Sequence, residues 1–157
     1  MALQLRDAAR HGDLRALELV LGCPADPNQV DEHGWTPMIM AAHAGHAEVL
    51  RLLHRAAAEL ELATPHGRTP LFVACQRGNR DAAQVLCELR ADIEKARSGG
   101  HTPLLAACRE GHAEVAQLLC EQGADKERVA LHGWTPFLLA ARHGHTSVSK
   151  ARVRALN

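Results

Sequence analysis

The chain has 157 residues, and 18 Lys and Arg balance 18 Asp and Glu. The resulting zero net charge excludes the whole-chain field that nucleic-acid and membrane-surface binders usually carry. Hydrophobic residues make up 46%, but aromatics only 3% and Tyr is absent, so the apolar content is mostly Ala and Leu, which favours close-packed helices over an aromatic-rich sandwich.

At the N-terminus, Arg6 and Asp7 arrive before a secretory h-region could develop, and no apolar run approaches the roughly 20 residues of a membrane span. Ala8-Ala9 and Gly12 open a pattern that returns as Ala41-Ala42 and Gly45. From there the chain repeats with a period of 33: Gly34, Gly67, Gly100 and Gly133 are followed by Trp35, Arg68, His101 and Trp134, each leading into Thr-Pro. A further glycine follows each at Gly45, Gly78, Gly111 and Gly144. Glu48-Val49 and Leu52-Leu53 recur as Glu114-Val115 and Leu118-Leu119.

Each recurring residue has a physical role. Thr36, Thr69, Thr102 and Thr135 stand where a helix N-cap belongs, with a hydroxyl for an orphan N–H. Pro37, Pro70, Pro103 and Pro136 follow at the first helical position, where a missing N–H costs nothing. A short apolar helix then runs to a glycine that can take positive φ and end it. A second helix is expected from His112 to Glu121, with Val115, Leu118 and Leu119 on one face, and Gly123-Ala124-Asp125 closes it. Neither helix can bury its apolar stripe alone, so stacked units must make the core. The units fall at about 1–33, 34–66, 67–99 and 100–132, with a partial unit at 133–157, in a single domain.

Gly34-Trp35-Thr36-Pro37-Met38, Gly45-His46, Glu48-Val49, Gly100-His101-Thr102-Pro103-Leu104, Gly111-His112, Glu114-Val115 and Gly123-Ala124-Asp125 together resemble the ankyrin repeat signature over nearly the whole chain. The resemblance implies an all-α solenoid of stacked antiparallel helix pairs with hairpin-like finger loops. It also implies partners lying along the finger tips and the first helices. Ile39, Phe72, Leu105 and Leu138 depart from it, since most ankyrin repeats carry His there to hydrogen-bond the capping Thr. Ala57 and Arg90 stand where Gly123 ends its helix, and left-handed geometry at a non-glycine costs roughly 1 kcal/mol, so looser or differently shaped turns are expected. Pro24 cannot adopt that geometry, so Gly22 is expected to stop its helix early. The C-terminal unit places Ala151-Arg152 where a leucine pair belongs, inside the basic run Ser149 to Arg154. It reads either as a frayed cap or as a chain cut short or altered relative to a longer repeat protein.

Eleven histidines raise the question of metal. His43 and His46, or His143 and His145, lack a third and fourth ligand at known spacing, and His46, His112 and His145 belong to the repeat itself; no metal or other cofactor is expected. The five cysteines, Cys23, Cys75, Cys87, Cys108 and Cys120, form no CxxC pair, and their odd number argues against a closed disulfide framework. A reducing, intracellular setting, cytoplasmic or nuclear, follows. Cys75 and Cys108 stand at an alanine position and read as small core residues, whereas Cys87 and Cys120 read as more accessible. GxSxG, GxxxxGK[ST] and HExxH are all missing from the sequence, so catalysis is not expected.

What varies at fixed register is informative. His33, His66 and His132 precede the finger glycines, Trp35, Arg68, His101 and Trp134 follow them, and His43, Arg77, Arg109 and Arg142 lie near the ends of the first helices. These residues do not build the repeat and are the candidate partner-binding set; Trp and Arg are favoured at binding hot spots. The alternative for Trp35 and Trp134 is packing on their own hairpins. His33, His66 and His132 with Arg68, Arg97 and Arg142 read either as a mildly basic concave face for an acidic partner, stronger below about pH 6.5 where histidines charge, or as a solvated face with no preference. The expected function is a monomeric protein–protein interaction module. The alternatives are nucleic-acid binding through Arg68, Arg97, Arg109, Arg142 and the tail residues Lys150, Arg152 and Arg154, or a fragment whose stack continues in a longer protein.

Overall fold

In the computed structural model, which describes residues 2–148, the capping threonines start their helices as the spacing predicts. The hydroxyls of Thr36, Thr69, Thr102 and Thr135 accept hydrogen bonds from the N–H of Ile39, Phe72, Leu105 and Leu138. The helices are α1 (Ala2–His11), α2 (Leu14–Leu21), α3 (Pro37–Ala44), α4 (Ala47–Arg55), α5 (Pro70–Arg77), α6 (Arg80–Glu88), α7 (Pro103–Glu110), α8 (Ala113–Glu121) and α9 (Pro136–Arg142). Beyond α9 helical geometry resumes at 146–148, where Val148 is buried. Ala151-Arg152 and the basic tail lie outside the described residues.

The odd-numbered helices pack in one layer, α1 on α3 on α5 on α7 on α9, and the even-numbered ones in a second, α2 on α4 on α6 on α8. The layers differ in burial. In α3 every residue from Pro37 to Ala42 is buried, whereas α4 buries only Val49, Leu50 and Leu53. First helices are enclosed by two neighbouring units and their own partner helix, while second helices keep one wet face. Close packing of the inner layer explains the small residues at Ala9, Ala42, Cys75 and Cys108, all fully buried.

Between units, the chain turns through fingers closed by backbone. Gly34 N–H donates to Asp31 O (3.0 Å) and Asp31 N–H to Trp35 O (3.1 Å). The same pair of bonds closes Thr64–Arg68, Arg97–His101 and Ala130–Trp134. With the glycine at positive φ (75° at Gly34), this is a short hairpin carrying a glycine bulge.

The units are also stitched side to side. His46 Nε2 lies 3.1 Å from Arg10 O, His112 Nε2 3.2 Å from Gln76 O and His145 Nε2 3.0 Å from Arg109 O. Because a carbonyl only accepts, Nε2 must carry the proton in each ring. Asn79, at the same register, donates Nδ2 to both Ala42 O and His43 O at 2.9 Å. Each bond satisfies carbonyls left open at the end of the preceding unit's first helix. That is why His46, Asn79 and His112 give no side-chain cap to their own helices. Asp13, in the first unit, instead caps α2 through Ala16 N–H. A second stitch joins the loops: Asn28, Glu61 and Glu94 side chains accept from the N–H of Glu59, Asp92 and Asp125, each at 2.8 Å.

Two expectations about turns resolve differently. Gly22 caps α2 one residue earlier in the repeat than Ala56 caps α4, in right-handed geometry, consistent with Pro24 blocking the usual turn. Ala57 and Arg90, by contrast, do not loosen theirs. They adopt φ of 62° and 70° and keep the hydrogen bonds that Gly123 and Ala124 make. Burial of the following Ala58 and Ala91 holds the chain in place against the local strain.

The last unit leaves a register open. Ile39, Phe72 and Leu105 are at most 1% exposed, whereas Leu138 is 54% exposed, because each earlier residue is followed by a further unit that can cover it. Leu105, for example, packs with Ala130, Trp134 and Leu139. Leu105→Ala is therefore expected to cost about 2–4 kcal/mol and Leu138→Ala less than about 1 kcal/mol, read from chemical denaturation midpoints. Ala57→Gly and Arg90→Gly remove about 1–2 kcal/mol of left-handed strain and add about 0.5–1 kcal/mol of unfolded-state entropy, so each should raise stability by roughly 0.5 kcal/mol in the same assay.

Candidate functional site

Helical geometry sets out the site's architecture. Met40 and Val73 lie one turn before His43 and Gln76 on their helices, so floor and rim share a face. The finger residues Trp35 and Arg68 fold back over the same face. The result is a strip of open concavity between the fingers and the first helices. One part is lined by Arg10, Asp31, His33, Trp35, Met40 and His43. The adjoining part is lined by Trp35, His43, Arg68, Val73, Gln76, Arg77 and Glu110. Trp35 and His43 belong to both, their rings meeting edge to face with centroids 5.1 Å apart.

The structure thus brings together His33, Trp35, His43, Arg68 and Arg77. His66 is exposed on its finger and lines neither part of the strip. The His132 side chain lies outside the described ones. His101 and Arg109 sit further along, half-buried, with Arg109 held to Glu110 at 2.6 Å. Trp134 and Arg142 form a separate pair at the end of the stack, the guanidinium 4.7 Å from the indole centroid. Trp134 also packs against Leu105, Ala130 and Leu139, so it supports the last finger as well as presenting a surface. Arg10, Asp31, Met40 and Val73 are strip residues that the sequence reading did not single out. For Met40 and Val73 the signal was the spacing of three that separates them from His43 and Gln76.

Electrostatically the strip is unbalanced. Arg10, Arg68, Arg77 and Arg97 form no ion pair among the described residues. Asp31 is occupied with its own turn, accepting from the N–H of His33 and Trp35. Burial, then Arg109 and Arg68, lower the pKa of Arg97, whose guanidinium lies 5.6 Å from the Phe72 ring centroid.

Two of the candidate histidines are perturbed by these surroundings. Burial lowers the His43 pKa, reinforced by Arg77 and Arg10, and burial followed by Arg97 and Arg109 lowers that of His101. Both rings therefore take up a proton at lower pH than an ordinary imidazole does. The thiols are raised: burial pushes Cys87 up to about 11 and Cys108 up to about 12, and Cys75 also rises well above its ordinary value. Cys23 is the exposed cysteine, and all five are free.

Among the described residues no group of three or more His, Cys, Asp or Glu is placed to hold a metal, and no helix is long and apolar enough to cross a membrane. Because the folded-state pKa values of His43 and His101 lie below the unfolded value, the unfolded chain takes up protons first as pH falls. Stability should therefore decline as pH drops below about 6.5. The decline should be shallower in a His43→Gln/His101→Gln variant, measured as melting temperature between pH 7.5 and 5.

A search of the curated proteins finds no match. A family model described as ankyrin repeats (3 copies) matches residues 5–97 and 90–151. Ankyrin repeats are generally protein–protein interaction modules and typically non-enzymatic. With helix pairs stacked at a 33-residue period, closed by glycine-bulge fingers and matched over almost its whole length, the chain belongs to the ankyrin repeat family.

Proposed function

We propose that this protein is a monomeric intracellular adaptor or scaffold module that binds a partner protein through its finger tips and the exposed ends of its first helices. The continuity of the open strip from His33 and Trp35, past His43, to Arg68 and Arg77 carries this reading. Its rim is built from residues at registers the repeat leaves free, so their identity can serve a partner without weakening the core. Trp35 offers a large half-buried surface with an N–H donor, and Arg68 and Arg77 offer guanidinium forks, the side-chain types that dominate binding energy at interfaces. The stacked units hold the strip in place before a partner arrives, which favours rigid-body docking at low ordering cost. His101, Arg109, Trp134 and Arg142 extend the same surface toward the last unit, with Trp134 contributing to packing besides.

The test is an affinity capture from cell lysate comparing wild type with Trp35→Ala/Arg68→Ala, after both are shown to melt cooperatively. Partners held by wild type should be reduced at least about tenfold in the variant, as for hot-spot residues. Equal retention would place binding elsewhere on the molecule. Adding Trp134→Ala should lower the melting temperature further, because that ring supports Leu105 and Leu139.

A further inference from the structure

Within the strip, positive charge accumulates without internal compensation. Arg68 on its finger, Arg77 at the end of α5 and Arg10 at the end of α1 line the strip, and Arg97, at the base of the next finger, lies close to Arg68 beside it. Arg68 and Arg97 make no side-chain hydrogen bond or ion pair with the described residues, and the Nε of each is withdrawn from solvent without an acceptor. The buried Nε is beyond a partner's reach, but the outer N–H groups of each guanidinium remain, and a carboxylate is the acceptor that this planar fork fits best. The strip's own carboxylates are engaged elsewhere: Asp31 closes its finger, and Glu110 is tied to Arg109. This charge is local, because the chain as a whole is neutral.

We propose, resting on the reading of this strip as a protein-binding surface, that it takes an extended acidic polypeptide segment in which carboxylates alternate with apolar side chains. The carboxylates sit against Arg68 and Arg77, with Arg97 adding its charge from beside Arg68. The apolar side chains sit against Trp35, the half-buried ring common to both parts of the strip, above a floor closed by the buried Met40 and Val73. Helix layers about 8–10 Å apart set the spacing between units, so three units offer a run of about 16–20 Å. That is the reach of about five or six extended residues. A continuous phosphate chain fits less well, because Asp31 and Glu110 interrupt the positive strip and apolar floor separates its arginines.

The probe is a fluorescein-labelled peptide of about eight residues, long enough to span that run, alternating Glu and Leu. Its controls are a Gln/Leu peptide, a Lys/Leu peptide and a labelled oligothymidylate of similar length. Binding to the full chain is followed by fluorescence anisotropy across a salt series. The Glu peptide should bind at least about tenfold more tightly than the Gln peptide and weaken as salt rises. Arg68→Gln/Arg77→Gln should abolish most of that preference, and Arg55→Gln, at the end of α4 and away from the strip, should leave it unchanged. Arg97→Gln serves as a second variant, with its fold checked by thermal melting because Arg97 packs on Phe72. Equal binding of the Glu and Gln peptides, tighter binding of the oligothymidylate, or absence of any peptide binding would each overturn the proposal. If Arg68→Gln/Arg77→Gln keeps the lysate partners that Trp35→Ala loses, the acidic chemistry falls while the protein-binding reading stands.

Discussion

No unit of this protein encloses its own core. Each first helix is short and apolar on nearly every side, so its burial is completed only when the next unit lies against it. The side-to-side hydrogen bonds of His46, Asn79, His112 and His145 then close the carbonyls at the end of the preceding first helix. A net hydrogen bond contributes about 1 kcal/mol, less than burying a single leucine, so packing supplies most of the stability and the hydrogen bonds set the alignment. The rings also fit closely: a Cβ on Gly78 would lie 2.5 Å from the ring of His112, and one on Gly111 equally close to that of His145. Glycine at those positions serves both the left-handed turn and the approach of the neighbouring unit.

The same dependence explains where the stack is irregular. Ala57 and Arg90 hold left-handed turns without being glycine, because Ala58 and Ala91, next in the chain, are anchored in the core. The strain of a single residue is about 1–2 kcal/mol, small beside the burial it would have to undo. At the last described unit the constraint is relaxed. Leu138 occupies a core register yet remains half open.

The open strip is a by-product of this architecture. Once core, caps and stitches have claimed their registers, the residues after each finger glycine and at the end of each first helix are free to vary. They carry Trp35, Arg68, His101 and Trp134, and His43, Arg77, Arg109 and Arg142. Stacking turns residues 33 apart in sequence into neighbours, so the choices made in separate units combine into one surface. The pKa of His43 shows the effect: its perturbing charges, Arg77 and Arg10, come from the units on either side.

The period, the Thr-Pro starts, the glycine stops and the alanine and cysteine core positions were legible from the sequence, because each answers to local backbone chemistry repeated at one spacing. The candidate rim residues were legible for the complementary reason, as variation where the repeat makes no demand. Tertiary structure decided what lay between units. Asn79 has a side chain suited to capping its own helix, yet donates to Ala42 and His43 of the unit before. Trp35 faces the open strip, while Trp134, at the same register, also packs under the last finger against Leu105 and Leu139. Arg10 joins the strip only through stacking. A side chain's partners across a stack depend on which neighbours lie beside it, and sequence spacing within one unit carries no record of that.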